Sequence, residues 1–175
     1  MKIKIVIVNG RGASGKTSFE TMVTKIAEAR GKHVKITSTI DYVKMRARIF
    51  GWDGGKTPED RRFLSDLKDA LTRWKDVPYQ NMKERIEGYR NAENPCDLLF
   101  IDCREPEEIK RFVEDFNALT MIVQRGEPIS LGNHADDNVE NYQYDIVIDN
   151  NRGLDELMQE ATIFVETFIM EEEEE

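Results

Sequence analysis

Positive charge is the scarcer kind in this sequence: 25 Lys and Arg stand against 34 Asp and Glu, for a net charge of −9. A chain this acidic lacks the cationic face that binding DNA or RNA as a polymer requires, so no nucleic-acid polymer is expected as a partner. Cysteine is rarer still. Cys96 and Cys103 are too few, and wrongly spaced, for a zinc cluster, and both read as free thiols. No apolar run approaches the roughly 20 residues of a membrane helix, which argues against a membrane partner. The first residues, Met1 to Val8, run straight into a strand-like apolar pattern without signal-peptide architecture, and the expected compartment is the cytoplasm. Internal repeats are absent. The one biased segment is the run of five glutamates at 171–175, read either as a docking element or as a solvated end.

What is present suits one domain with a sizeable core: 175 residues, 39% apolar and 34% charged. Ile3 to Val8 is short, apolar and rich in β-branched residues, as a buried parallel strand is. A helix over 15–30 stops at Gly31. Further strands are predicted at His33–Ile40, Leu98–Ile101 (ending at Asp102), Leu119–Val123 and Tyr144–Ile148, with a helix opening near Pro106 and another over Leu154–Phe168. Strands alternating with helices imply a parallel sheet covered on both faces. Residues 41–95 are too long for one crossover and read as a helical insertion. Within it, Thr57, Pro58 and Asp60 form a capping-box pattern, followed by Phe63, Leu67, Leu71 and Trp74 at near-helical spacing. Phe63 and Trp74 are assigned to the core rather than to a ligand wall. Residues 126–143 are polar, with Gly126, Pro128, Gly132 and Asn133, and form a candidate lid loop.

The sharpest signal is Gly10-Arg11-Gly12-Ala13-Ser14-Gly15-Lys16-Thr17, a P-loop pattern placed between strand and helix. Glycines let the backbone approach an anion closely. Successive N–H groups form a nest, and the helix offers its positive end. Lys16 is assigned to the β- and γ-phosphates and the Thr17 hydroxyl to Mg²⁺; Ser18 follows in the first turn. Asp102, after four apolar residues, stands where a Mg²⁺-holding carboxylate belongs, or is an ordinary strand-end turn residue. Arg104 is either a cation for a transferring phosphoryl group or a surface partner of Glu107 or Glu108.

The insertion carries Arg46, Arg48, Lys56, Arg61, Arg62 and Lys68, and a glycine-rich turn, Gly51-Trp52-Asp53-Gly54-Gly55-Lys56. Cations suit an acceptor's phosphate, and Trp52, Tyr42 and Phe50 could wall its body. Arg62 with Asp66 also reads as a surface ion pair, and Asp41 as either a helix cap or an acceptor contact. A guanine-reading Asn-Lys-x-Asp is absent, and Asp53-Gly54 lacks the Asp-x-x-Gly spacing, which argues against a GTPase.

Together, the P-loop, Arg61-Arg62-Phe63-Leu64-Ser65-Asp66-Leu67-Lys68, Phe100-Ile101-Asp102-Cys103-Arg104-Glu105-Pro106, and the closing Asn138–Tyr142 and Tyr144–Asn150 stretches resemble the P-loop nucleoside monophosphate kinase superfamily. Within it, the chain is most similar to phage-type deoxynucleoside monophosphate kinases and animal-type phosphomevalonate kinases. The resemblance implies a three-layer α/β/α P-loop fold with a five-stranded parallel sheet and the helical insertion between strands 2 and 3. It implies one kinase-like domain over 1–170, ATP on Gly10–Thr17, Arg104 on phosphates, and the acceptor held by the insertion. The implied cofactors are ATP and Mg²⁺. The implied activity is transfer of the γ-phosphoryl group to a small phosphate acceptor, with Lys16, Arg104 and Arg125 as the catalytic cations. Asp41, Arg46, Trp52, Lys56, Arg61 and Arg62 are the acceptor candidates. A monomer or homodimer is expected. The chain departs from adenylate kinases in lacking their arginine-rich lid: residues 126–143 hold few cations, and Arg125 is the nearest. A kinase for a non-nucleotide phosphate and a non-catalytic nucleotide sensor are the two alternatives.

Overall fold

The computed structural model describes residues 3–126 and 142–170. Most of the candidate lid at 126–143, the Asn138–Asn141 stretch and the acidic tail lie outside the described residues. The chain divides into two compact units, residues 37–93 and the remainder.

The larger unit is built on a five-stranded, all-parallel sheet with strand order β2-β3-β1-β4-β5. The strands are β1 (Lys4–Asn9), β2 (Val34–Ser38), β3 (Leu98–Asp102), β4 (Leu119–Gln124) and β5 (Ile146–Asp149). Three helices flank them: α1 (Lys16–Glu28), α5 (Pro106–Phe116) and α6 (Leu154–Phe164), the last running on as a π-helical segment, Val165–Met170. The central strands are buried on both faces, which is why they read as unbroken apolar runs rather than alternating ones. Val6, Val8, Leu98, Phe100, Met121 and Val123 share one core with Phe19 and Val23 of α1 and Leu157 and Phe164 of α6. There Phe164 stacks on Phe100 at 5.9 Å and meets Phe19 edge-on at 5.8 Å. Cutting Phe19 or Phe100 to Ala would cost about 3–5 kcal/mol. α5 packs against β1 and β4, burying Ile109 and Phe112. The layers are therefore helix, sheet and helix, the arrangement expected.

Register sets the edge of the sheet that matters. Val8 pairs with Asp102, Asn9 with Ile122, and Gln124 with Asp149. The carboxyl ends of four strands thus finish together; from β1 the chain crosses toward β2 on one side, and from its neighbour β3 it crosses toward β4 on the other. This is the switch point at which open α/β sheets bind ligands.

The smaller unit holds α2 (Asp41–Ile49), α3 (Pro58–Lys75) and α4 (Val77–Arg90). The capping box forms as its spacing predicts: Asp60 N donates to Thr57 Oγ1 and Thr57 N to Asp60 Oδ2. The apolar stripe of α3 keeps Leu67 and Leu71 of the expected one and adds Leu64. Leu64, Leu67 and Leu71 are half-buried where α3 packs on α2 and α4. Phe63 and Trp74 fall beside that stripe and are exposed, Trp74 by 67% with the Lys75 ammonium 5.1 Å from its ring centre. Their assignment to the core is corrected accordingly. Among the described residues, no helix is long and apolar enough to cross a membrane.

Candidate functional site: the loop between β1 and α1

The loop is held by backbone geometry that most residues disfavour. Gly15 lies at φ 97°, and Ala13, which has a Cβ, lies at φ 63°. Ser14 N closes a turn onto the Arg11 carbonyl at 3.2 Å. α1 begins at Lys16 with no side-chain cap among the described residues and no acidic residue in its first turn. Its leading N–H groups and positive end are left for an anion.

Three residues outside the pattern fix this loop. Asn9, fully buried, accepts from Gly10 N at 2.7 Å and donates through Nδ2 to the Tyr144 hydroxyl at 2.7 Å and to the Arg104 carbonyl at 3.3 Å. Burial pushes the Tyr144 hydroxyl up to about 12, against the smaller opposing effect of the Asn9 hydrogen bond. Asn150, just beyond β5, donates from Nδ2 to the Ser14 carbonyl at 2.9 Å. None of these roles is visible in the sequence, because each depends on which strand ends the sheet brings together.

The Lys16 ammonium lies 2.5 Å from Asp102 Oδ1, so the loop lysine and the β3 carboxylate form an ion pair. Glu20, one helical turn after Lys16, is 1% exposed and lies beside the Asp102 carboxylate. Burial, and then the Asp102 charge, push its carboxyl up to about 8, while Lys16 pulls the other way. Glu20 Oε1 finds no hydrogen-bond partner among the described residues, and neither does the buried Ser14 hydroxyl. Thr17 and Asp102 together offer the hard oxygen donors that Mg²⁺ prefers. Arg104 follows Asp102 and is half-buried, and Arg125 is exposed just after β4.

The acceptor candidates lie in the smaller unit. Asp41 opens α2, where its Oδ2 accepts from Ser38 N at 2.9 Å and Thr37 Oγ1 at 3.3 Å, with Arg85 of α4 at 3.6 Å. It is thus tied to the turn before its helix and to an arginine the sequence reading did not single out. Arg46 covers the Tyr42 ring at 4.9 Å, and Arg48 the Trp52 ring at 5.6 Å, both pairs four residues apart. The Trp52 backbone N–H donates to the Ala47 carbonyl at 3.1 Å. Its buried indole N–H finds no hydrogen-bond partner among the described residues, although it lies close enough to the Asp60 carboxylate to act on it slightly. Thr57, by side chain and then backbone, is the main reason that carboxyl sits below its usual range. Lys56, Arg61 and Arg62 are exposed, and Arg62 lies 4.0 Å from Asp66. Arg46 and Arg48 stand on α2, Lys56 just before α3, and Arg61 and Arg62 near its start.

No protein-family model matches the sequence, and no curated protein matches it. Solved structures do. A sugar kinase from Janibacter sp. HTCC2649 is 15% identical, with 96% of this chain and 97% of that chain covered at a TM-score of 0.58. TT1252 from Thermus thermophilus is 16% identical over 95% of this chain and 99% of that one, at a TM-score of 0.56. At such identities the likeness establishes a shared fold over essentially the whole chain.

Proposed function

We propose that this chain is a Mg²⁺- and ATP-dependent kinase that transfers the γ-phosphoryl group to a small acceptor, a (deoxy)nucleoside monophosphate. One observation carries the reading: Lys16 opens a helix behind a left-handed glycine loop and meets the Asp102 carboxylate at a sheet switch point. The fold shared with a sugar kinase supports phosphoryl transfer in general. The acceptor class rests on the sequence resemblance and on the arginines and aromatics of residues 37–93.

The loop N–H groups would cradle the triphosphate, and Lys16 would leave Asp102 for the β- and γ-oxygens. An acceptor phosphate oxygen attacks the γ-phosphorus in line, the bond to the β,γ-bridging oxygen breaks, and ADP departs. The acceptor is already an anion, so no general base is required. Positioning and charge neutralisation do the rest. Thr17 and Asp102 would hold Mg²⁺, which supplies charge neutralisation at the β- and γ-oxygens. Arg104 and Arg125 are the cations assigned to the charge that spreads over the transferring group. Losing one of them would slow turnover by about 10²–10³.

The test is ADP release from Mg²⁺-ATP against a panel of ribo- and deoxynucleoside monophosphates, phosphomevalonate and simple sugars, with Lys16→Ala as control. Turnover that depends on one or a few monophosphates, and is lost in the variant, supports the proposal. Turnover with phosphomevalonate or a sugar replaces the acceptor. Tight ATP binding without any acceptor-dependent turnover makes the chain a nucleotide sensor instead.

A further inference from the structure

Lys16, Glu20, Val23 and Ala27 lie on one face of α1, three or four residues apart. Glu20, Val23 and Ala27 are buried there, and the two flanking apolar members belong to the main core. The pattern calls for an apolar side chain at position 20. A carboxyl stands there instead, 1% exposed, beside the Asp102 carboxylate, with its Oε1 unmatched among the described residues. Burying an acid beside a second carboxylate is unfavourable, and an apolar residue of equal volume would pack at least as well. Packing alone therefore does not account for this residue.

We propose that Glu20 is a positioning residue for the divalent cation of the nucleotide complex: it fixes the Asp102 carboxylate from the protein side once Lys16 has moved to the phosphates. The inference rests on the kinase reading, because it needs Mg²⁺-nucleotide to arrive at the loop. Asp102 stands at the end of its strand with Lys16 on one oxygen. When nucleotide takes Lys16 away, Asp102 loses that restraint and must present an oxygen to the cation or to its water shell. Glu20, anchored in the first turns of α1, supplies the replacement restraint. Partners one layer out from a metal ligand commonly change metal affinity by about 10–100-fold when removed.

The coupling between Mg²⁺ and nucleotide reads this role directly, without turnover. The affinity of the full chain for the non-hydrolysable β,γ-imido analogue of ATP is measured by calorimetry in excess Mg²⁺ and in EDTA. Thermal unfolding is recorded alongside. Glu20→Met keeps the volume and removes both oxygens; Glu20→Gln keeps the volume and the hydrogen-bonding capacity. The expected result for Glu20→Met is an unchanged affinity in EDTA, a Mg²⁺ enhancement reduced about tenfold or more, and a melting temperature at or above that of the parent chain. Glu20→Gln should keep the enhancement to within about threefold, since its amide can still hold Asp102. An unaltered Mg²⁺ enhancement in Glu20→Met overturns the proposal. So does loss of affinity in Mg²⁺ and EDTA alike with a lowered melting temperature, which would make Glu20 a structural support only. If the parent chain binds no analogue under either condition, the kinase reading itself falls and takes this inference with it. That result is distinct from the other two.

Discussion

Asn150 occupies the space that a side chain at Gly15 would need: a Cβ built there overlaps Nδ2, which is itself bound to the Ser14 carbonyl at 2.9 Å. The end of β5 is thereby packed onto the turn that launches α1. The chain's last strand holds its first loop.

Gly15→Ala is expected to destabilise the fold on two counts, the overlap with Asn150 and the left-handed φ of 97°. Together these should cost about 1–3 kcal/mol. Asn150→Ala on that background should return the overlap part but not the conformational part. Gly12→Ala is the internal control: no heavy atom lies within 4 Å of its Cβ position and its φ is not left-handed, so its stability should stay within about 0.5 kcal/mol of the parent. Urea unfolding of the parent and the three variants decides it. Equal stability of Gly15→Ala and Gly12→Ala would contradict the packing described.

Asn9 makes the same kind of case from the other side of the loop. Asn9→Ala removes partners from Gly10 N–H, the Arg104 carbonyl and the Tyr144 hydroxyl at once. Leaving buried polar groups unmatched costs about 1–3 kcal/mol each. Tyr144→Phe breaks only one of these contacts and should cost about 0.5–1.5 kcal/mol. The ordering of the two midpoints in urea is the prediction. If Tyr144→Phe proved the more damaging, Asn9 would not be the hub of this network.

These contacts also mark what could be read from the chain alone. The turn of Gly10–Thr17 between strand and helix was legible because it is a contiguous pattern whose glycines serve the backbone directly. The Thr57–Asp60 box was legible for the same reason, being complete within four residues. Asn9, Glu20, Tyr144 and Asn150 were not, because each acts on a partner far along the chain. Asn9 and Tyr144, for example, meet only because the sheet brings the end of β1 near the segment that leads into β5. Phe63 and Trp74 misled because near-helical spacing alone does not say which of two adjacent stripes faces the neighbouring helices. The leucines at 64, 67 and 71 took that place.

Glu20 should leave a signature in the pH dependence of stability. Its carboxyl titrates near 4.5 when unperturbed and about 8 in the fold, raised first by burial and then by Asp102. Between those values the folded chain retains a proton that the unfolded chain has released. Stability contributed by this group is therefore full below about 4.5, falls as pH rises through the window, and levels off above about 8. In metal-free buffer, denaturant midpoints should decline from pH 5 to about 8, and Glu20→Gln should flatten that decline. A parent chain whose midpoint rises over the same range would show that the group is ionised in the fold throughout.

Trp52 separates acceptor classes. One face of its ring is covered by Arg48 at 5.6 Å, and its indole N–H lies near Asp60 without a hydrogen-bond partner among the described residues. A planar base could use the remaining face, and stacking on an aromatic contributes about 1–3 kcal/mol. With a nucleoside monophosphate as acceptor, Trp52→Ala should raise the acceptor KM by about 5–150-fold and leave the KM for ATP near its parent value. Trp52→Phe should recover most of that loss, because a ring without the indole N–H can still stack. A flexible aliphatic phosphate has no plane to stack and should tolerate both changes alike. An acceptor KM that moves equally in the alanine and phenylalanine variants would tie the effect to the Asp60 contact. The nucleotide base would then have to be recognised elsewhere.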